Sequence, residues 1–241
     1  NPNLTEDQRL RLGYTNSGDV PPHHIRWTGV YELPFGKGKK FGNSVSGALN
    51  HLIGGWSVGF IGEWRSGFWR GVDSKDGYLL FGDPTIGKGD RFTVDIFGRR
   101  QQVYFRGYLD PTQASGPNAA RLLQLVPVDP SQRVLTKVGN DDNLIPQVLA
   151  DGSVVSTDVM AGMVNWNARN FYQGPGSWNE DISIYKDFRF AERYRLRFTG
   201  DFFNAFNHPN NIDVDTKTGL LDLSQQVNEP RIIQFSAKFE F

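Results

Sequence analysis

The last ten residues, Ile232-Ile-Gln-Phe-Ser-Ala-Lys-Phe-Glu-Phe241, alternate apolar and polar side chains and close on an aromatic. Successive side chains of a strand point to opposite faces. Ile233, Phe235, Ala237, Phe239 and Phe241 therefore share one face, and Ile232, Gln234, Ser236, Lys238 and Glu240 the other. Such a strand needs two unlike surroundings, apolar on one side and wet on the other. The apolar surrounding is either lipid or the core of a soluble β-protein.

The same alternation recurs four times. His24 to Leu33 sets Ile25, Trp27, Gly29, Tyr31 and Leu33 against Arg26, Thr28, Val30 and Glu32. Gly55 to Ser66 sets Trp56, Val58, Phe60, Gly62 and Trp64 against Ser57, Gly59, Ile61, Glu63 and Arg65. Asp181 to Phe188 carries Ile182, Ile184 and Phe188 on one face, interrupted by Lys186, and Tyr194 to Phe203 sets Tyr194, Leu196, Phe198, Gly200 and Phe202 against Arg195, Arg197, Thr199 and Asp201. Charges of both signs opposite aromatics suggest a wet lumen and a lipid-facing exterior. On that reading Arg26, Glu63, Arg65, Arg195, Arg197 and Asp201 line the lumen. Trp27, Tyr31, Trp56, Trp64, Tyr194 and Phe241, with Phe202, anchor at the lipid interfaces. In a soluble sandwich the same aromatics pack a core, so alternation alone leaves both architectures open.

Composition excludes several classes. Mean hydropathy is −0.46 and no apolar run reaches the ~18 residues of a spanning helix, which leaves membrane strands untouched. The absence of Cys removes disulfides, thiolate metal sites and Cys nucleophiles. A net charge of +0 argues against a nucleic-acid partner. Asn1-Pro-Asn-Leu-Thr5 contains neither an initiator Met nor a signal sequence, so the chain reads as the carboxyl-terminal piece of a longer, exported one.

The connections differ in length. Arg189-Phe-Ala-Glu-Arg193 is short, whereas 66–181 and 203–232 are long and rich in Gly, Pro, Asn and Asp. Outer-membrane barrels have short periplasmic turns and long extracellular loops. Running the final strand inward puts 189–193 on the periplasmic side and both long connections outside; 34–51 is then periplasmic and long for such a turn. Within the long loop, Arg91–Phe97 and Gln101–Tyr108 flank Gly98-Arg99-Arg100 as a hairpin. Asn118–Val126 is expected to be a short helix with Asn118 as its N-cap, and Gly139–Asn143 a turn.

Chemical motifs are imperfect. Gly82-Asp-Pro-Thr-Ile-Gly-Lys88 matches a phosphate-loop spacing, but Gly89 stands where Ser or Thr is needed and a β-like segment follows. His23, His24, His51 and His208 have no ligand-spaced partners. Asp213-Val-Asp215 offers oxygen ligands reminiscent of a calcium loop without the downstream Glu. No nucleophile elbow is present, so neither an enzyme nor a cofactor is expected. Aromatics over 166–178 are a candidate surface for sugars or peptides.

Four segments carry a family resemblance: Tyr31-Glu-Leu-Pro-Phe-Gly-Lys-Gly-Lys-Lys-Phe41, Leu52-Ile-Gly-Gly-Trp-Ser-Val58, Ser177–Phe188 and Thr199-Gly-Asp-Phe-Phe-Asn-Ala-Phe-Asn-His-Pro209. Together with the terminal strand they resemble the carboxyl-terminal barrel of TonB-dependent receptors, above all the Oar-like, carboxypeptidase-regulatory-domain-containing members found in Acidobacteria. The resemblance implies a large outer-membrane barrel of 22 strands, an amino-terminal plug and uptake energised through TonB. Plug and TonB box are not in this chain, so TonB would be engaged only through regions outside it.

The expected fold is thus all-β, an antiparallel up-and-down set of barrel strands carrying a long mixed loop module. Residues 1–67 supply wall strands with a lead-in, 68–176 an extracellular lid, and 177–241 the closing strands. Five strands, or seven with the hairpin, fall short of the ~8 of the smallest bacterial barrels. Open edges must be completed by strands outside this chain or by further copies of it. The first completion gives a receptor wall in the outer membrane, the second an extracellular tube or filament. A soluble carbohydrate-binding β-domain is the third reading.

Overall fold

The computed structural model describes residues 5–7, 10, 14–72, 78–137, 144–148, 150–158, 170–190, 193–211 and 213–241. They form two compact units. A sheet unit comprises His23–Ser66, Gly176–Asn210 and Val227–Phe241; a loop unit comprises Asn1–Pro22, Gly67–Pro175 and Asn211–Gln226. The expected turn at Gly139–Asn143 and the aromatic Trp166 lie outside the described residues.

The sheet unit consists of β1 (His24–Glu32), β2 (Trp56–Arg65), β3 (Ser177–Phe190), β4 (Tyr194–Phe203) and β5 (Ile232–Glu240). Each pairs antiparallel with its neighbours in sequence, in the order β1-β2-β3-β4-β5. The fold is all-β and the meander is up-and-down, as the alternation requires. β3 is longer than its sequence pattern suggests because its neighbours are staggered along it. Ser177–Lys186 pair with β2, whereas Ile182–Phe190 pair with β4. Stagger of this kind accompanies strand tilt in barrel walls. Among the described residues the sheet is not closed, and the outer edges of β1 and β5 have no partner strand.

Close approach of aromatics to glycines fixes the register of the apolar face. A Cβ on Gly62 would lie 2.1 Å from the Trp27 ring, and one on Gly29 would lie 2.5 Å from that of Phe60. Both pairs stand beside each other across β1 and β2. A one-residue slip would send each ring to the opposite face.

An antiparallel meander sends alternate connections to opposite ends. The 33–55 connection, with helix α1 (Gly47–Ile53), and the short 191–193 link leave one end. The segment before β1 and the connections 66–176 and 204–231 leave the other. Those last three supply the whole loop unit.

The loop unit has an ordinary buried core. Helix α2 (Ala119–Leu125) buries Leu122 against Phe92, Val94, Ile96 and Val103. A second cluster gathers Tyr78, Leu80, Tyr104, Phe105, Leu135, Tyr172 and Leu221. A four-stranded sheet runs in the order Leu220–Asp222, Arg99–Val103, Phe92–Ile96, Ala114–Ser115. Three expectations need correction here. The hairpin turns on Phe97 and Gly98, both with positive φ, so Arg99 and Arg100 belong to its second strand; a two-residue turn of this hand matches strand twist. Asn118 makes no cap bond and instead donates through Nδ2 to the Thr93 carbonyl at 2.7 Å. Leu220–Asp222, inside a connection read as loop, is a strand because Leu220 and Leu221 bury in the two clusters.

Candidate functional site

The site is the five-stranded sheet itself, whose two faces are chemically distinct. Cross-strand register gathers Ile25, Trp27 and Tyr31 of β1 with Trp56, Val58, Phe60 and Trp64 of β2. Trp178, Ile182, Ile184 and Phe188 of β3 join them, followed by Tyr194, Leu196, Phe198 and Phe202 of β4 and Ile233, Phe235 and Phe239 of β5. No large apolar side chain of this unit is fully buried among the described residues; Phe235 is 80% exposed, Phe241 85%, and Tyr31, Ile25 and Trp64 are exposed as well. The face therefore lacks a core above it. A soluble monomer rarely leaves so large an apolar surface open.

The aromatics form two rows. At the end of the sheet with the short link, Phe188 meets Phe190 and Phe198, and Tyr194 stacks on Phe239, which stacks on Phe241. At the other end Trp64 stands opposite Trp178, which packs against Phe206 at 5.3 Å. Trp56 and Trp64, eight positions apart on β2, lie about 27 Å apart along a strand rising ~3.4 Å per residue. Strands of 9 and 10 residues suit a tilted crossing of hydrocarbon, which takes ~9–11.

Two ionisable residues interrupt the apolar face, and each has partners. Glu180 accepts a hydrogen bond from Trp27 Nε1 at 2.9 Å. Lys186 is buried beneath α1, donating to the carbonyls of Leu52 and Gly54 with its ammonium over Trp56 and Phe188. The sequence marked Lys186 as an interruption; its cover by α1 could not be read from strand alternation.

The opposite face carries a cross-strand polar network. Arg26 Nε donates to Glu63 at 2.8 Å, and Arg65 Nε to Ser177 Oγ at 2.6 Å. The Ser183 hydroxyl donates to Asp201 at 2.6 Å. Asp187 is the hub: it accepts from Arg195 at 2.9 Å and from Arg197 Nε at 2.7 Å, while Arg197 also lies over the Tyr185 ring. Arg195 reaches on to Glu240 at 3.5 Å, which pairs with Lys238 at 2.8 Å. All six lumen-facing candidates thus share one face. Sequence reading missed Asp187, though its place two residues beyond Tyr185 on this face was a usable signal.

The remaining motifs lead elsewhere. Lys88 opens a three-residue turn and then a strand rather than a helix. Asp215 accepts from the Lys217 and Thr218 amides, and Asp213 lies 3.5 Å from Arg70. No cluster of three His, Cys, Asp or Glu groups suited to a metal occurs among the described residues. His51 stacks on Phe188 and His208 packs edge-on against Trp178. In the loop unit Arg91 lies over Tyr104 and donates to the Gln173 carbonyl. Burial pushes its guanidinium down, and pushes the phenols of Tyr104 and Tyr172 up, Tyr172 further through the nearby Asp213 charge.

A family model described as "Outer membrane beta barrel domain" matches residues 1–234. The chain belongs to that family. No curated protein and no solved structure matches it. Barrels of the bacterial outer membrane carry aromatic girdles at the lipid boundaries and polar side chains on the lumen side, and the two faces of this sheet differ in the same sense. No described helix is long and apolar enough to cross a membrane.

Proposed function

We propose that this domain is part of the wall of a TonB-dependent receptor that moves a solute across the outer membrane, completed by strands and a plug outside these residues. The observation that carries the reading is the open sheet: one aromatic face exposed outside the end that α1 covers, one ion-paired face, and two edges without a partner strand among the described residues. Backbone groups at such edges cannot stay unpaired in lipid. The short 191–193 link sits on the periplasmic side, and the connections that build the loop unit face outward to meet ligand. The domain contributes structure and ligand contact rather than catalysis, and TonB acts through the missing regions.

The unpaired edges also support a second reading, a processed chain whose copies pair edge to edge into an extracellular tube or filament. Imaging of native particles by electron microscopy separates the two. The receptor reading expects no ordered assemblies without detergent, recovery from solubilised outer membrane within a longer polypeptide, and formaldehyde cross-linking of that polypeptide to TonB. Ordered detergent-free fibres would overturn it. The soluble carbohydrate-binding reading would require a core over the aromatic face, and none is present among the described residues.

A further inference from the structure

At the end of the sheet bearing the short link, two cavities meet at Lys186. One is an apolar groove of about 580 Å³ between α1 and strands β3 to β5, walled by Leu52, Ile184, Phe198, Phe202 and Phe235. The other is polar, about 320 Å³, and includes Glu32, Lys39, Asn50, Asp187 and Arg189. His51, Trp56 and Lys186 line both. The volumes are those of built small-ligand sites, ~300–1,000 Å³.

The charges at this junction do not balance. Glu32 is taken by Lys39 at 2.7 Å, and Asp187 by Arg195 and Arg197. Lys186 and Arg189 have no carboxylate within ion-pair distance among the described residues. Lys37, whose amide donates to Asn50 Oδ1, and Lys40 stand exposed on the same connection. The Leu52 and Gly54 carbonyls satisfy hydrogen bonds of the Lys186 ammonium but do not neutralise it, and a buried cation without a counter-charge is costly. An anion beside an apolar groove removes that cost.

We propose that the paired cavities bind an anionic glycerophospholipid, one acyl chain in the groove and the phosphate against Lys186 and Arg189, which line the polar cavity, with the exposed Lys37 and Lys40 adding positive charge from the connection that follows β1. A phosphate accepts charge-assisted hydrogen bonds from several such groups at once. The proposal rests on the membrane reading above, in which this end lies at the periplasmic leaflet. Lys186 acts in two ways, pinning α1 over the sheet and presenting charge to the headgroup.

The test uses the longer polypeptide, with the strands that complete the sheet, in vesicles with bromines on the acyl chains of either phosphatidylglycerol or phosphatidylcholine. The Trp56 signal is taken as the difference between the wild-type chain and Trp56→Phe. Quenching by the anionic lipid is expected to be at least threefold stronger than by the zwitterionic one. The preference should disappear in the Lys37→Gln, Lys40→Gln, Arg189→Gln triple variant, or weaken in Arg189→Gln alone should the triple variant fail to insert. Equal quenching of the wild type by both lipids overturns the site while leaving the membrane reading intact. A preference unchanged in the variants overturns the assigned cations. No quenching by either lipid overturns the site and the lipid-facing orientation together.

Discussion

The loop unit and the sheet unit are built from the same residue types but solve opposite problems. The loop unit buries Phe105, Ile96, Leu122 and Leu135 completely, so its apolar surface leaves water by packing on itself. The sheet unit carries more aromatics than the loop unit, yet buries none of them completely among the described residues. It satisfies its backbone through long strand pairing and leaves both faces to the surroundings. Where a chain puts its aromatics, in a core or in rows at the two ends of a strand, thus separates water-filled from lipid-filled environments more sharply than mean hydropathy does.

The contrast can be broken or sharpened by substitution. Phe105→Ala opens a cavity in the loop unit and should cost about 3–5 kcal/mol, read by hydrogen exchange of loop-unit amides, with the exchange of β2 to β4 unchanged. In the sheet the comparable lesion is overpacking. Gly62→Val drives a side chain into the Trp27 ring, which already lies within 2.3 Å of the Cβ position, and should cost about 1–3 kcal/mol. Loss of the Trp27 contribution to blue-shifted fluorescence would report it. Removing the hub of the ionic face by Asp187→Asn should lower stability by about 1–2 kcal/mol, since charge-assisted bonds to two arginines go together. The thermal midpoint of the detergent-solubilised sheet is the readout. Arg26→Gln removes an exposed partner of Glu63 and should change stability, read from the same midpoint, by no more than about 0.5 kcal/mol.

The smallest effect belongs to acid. In the loop unit the Ser224 hydroxyl and amide, with Arg99, hold the Asp222 carboxyl below the usual carboxylate range. A folded pKa below the unfolded value of about 3.9 means stability present above that pH and lost as pH falls through the folded value. Asp110 and Asp129 are lowered in the same way by Thr112 and Ser131. Melts of the loop unit should therefore decline below about pH 4, and less steeply in Asp222→Asn.

The sheet was legible in the sequence because period-two alternation survives wherever two faces meet different media. Ile25 through Tyr31, Trp56 through Trp64 and Tyr194 through Phe202 share the faces that their spacing implies. The six lumen-facing candidates could be named for the same reason. The loop unit was far less legible, since its strands are short and its core is assembled from distant segments. Leu220–Asp222 pairs with Gln101–Val103 across more than a hundred residues, and no local pattern announces that. Lys186 and Glu180 show the remaining limit. Alternation placed Lys186 on the apolar face, but only three-dimensional contact shows the helix carbonyls and the Trp27 indole that make such residues tolerable there.

On this account one face of the sheet meets lipid and the other water. These 241 residues contain no Cys, so a single Cys substitution at each successive position from Ile233 to Phe239 places one new thiol at a known point of the strand, read against the unsubstituted protein. Labelling of native outer membranes with a membrane-impermeant maleimide, after opening access to the lumen, tests it directly. Thiols at 234, 236 and 238 should react and those at 233, 235, 237 and 239 should be protected, with protection lost on denaturation. Uniform reactivity along the strand, or alternation of the opposite phase, would contradict the account.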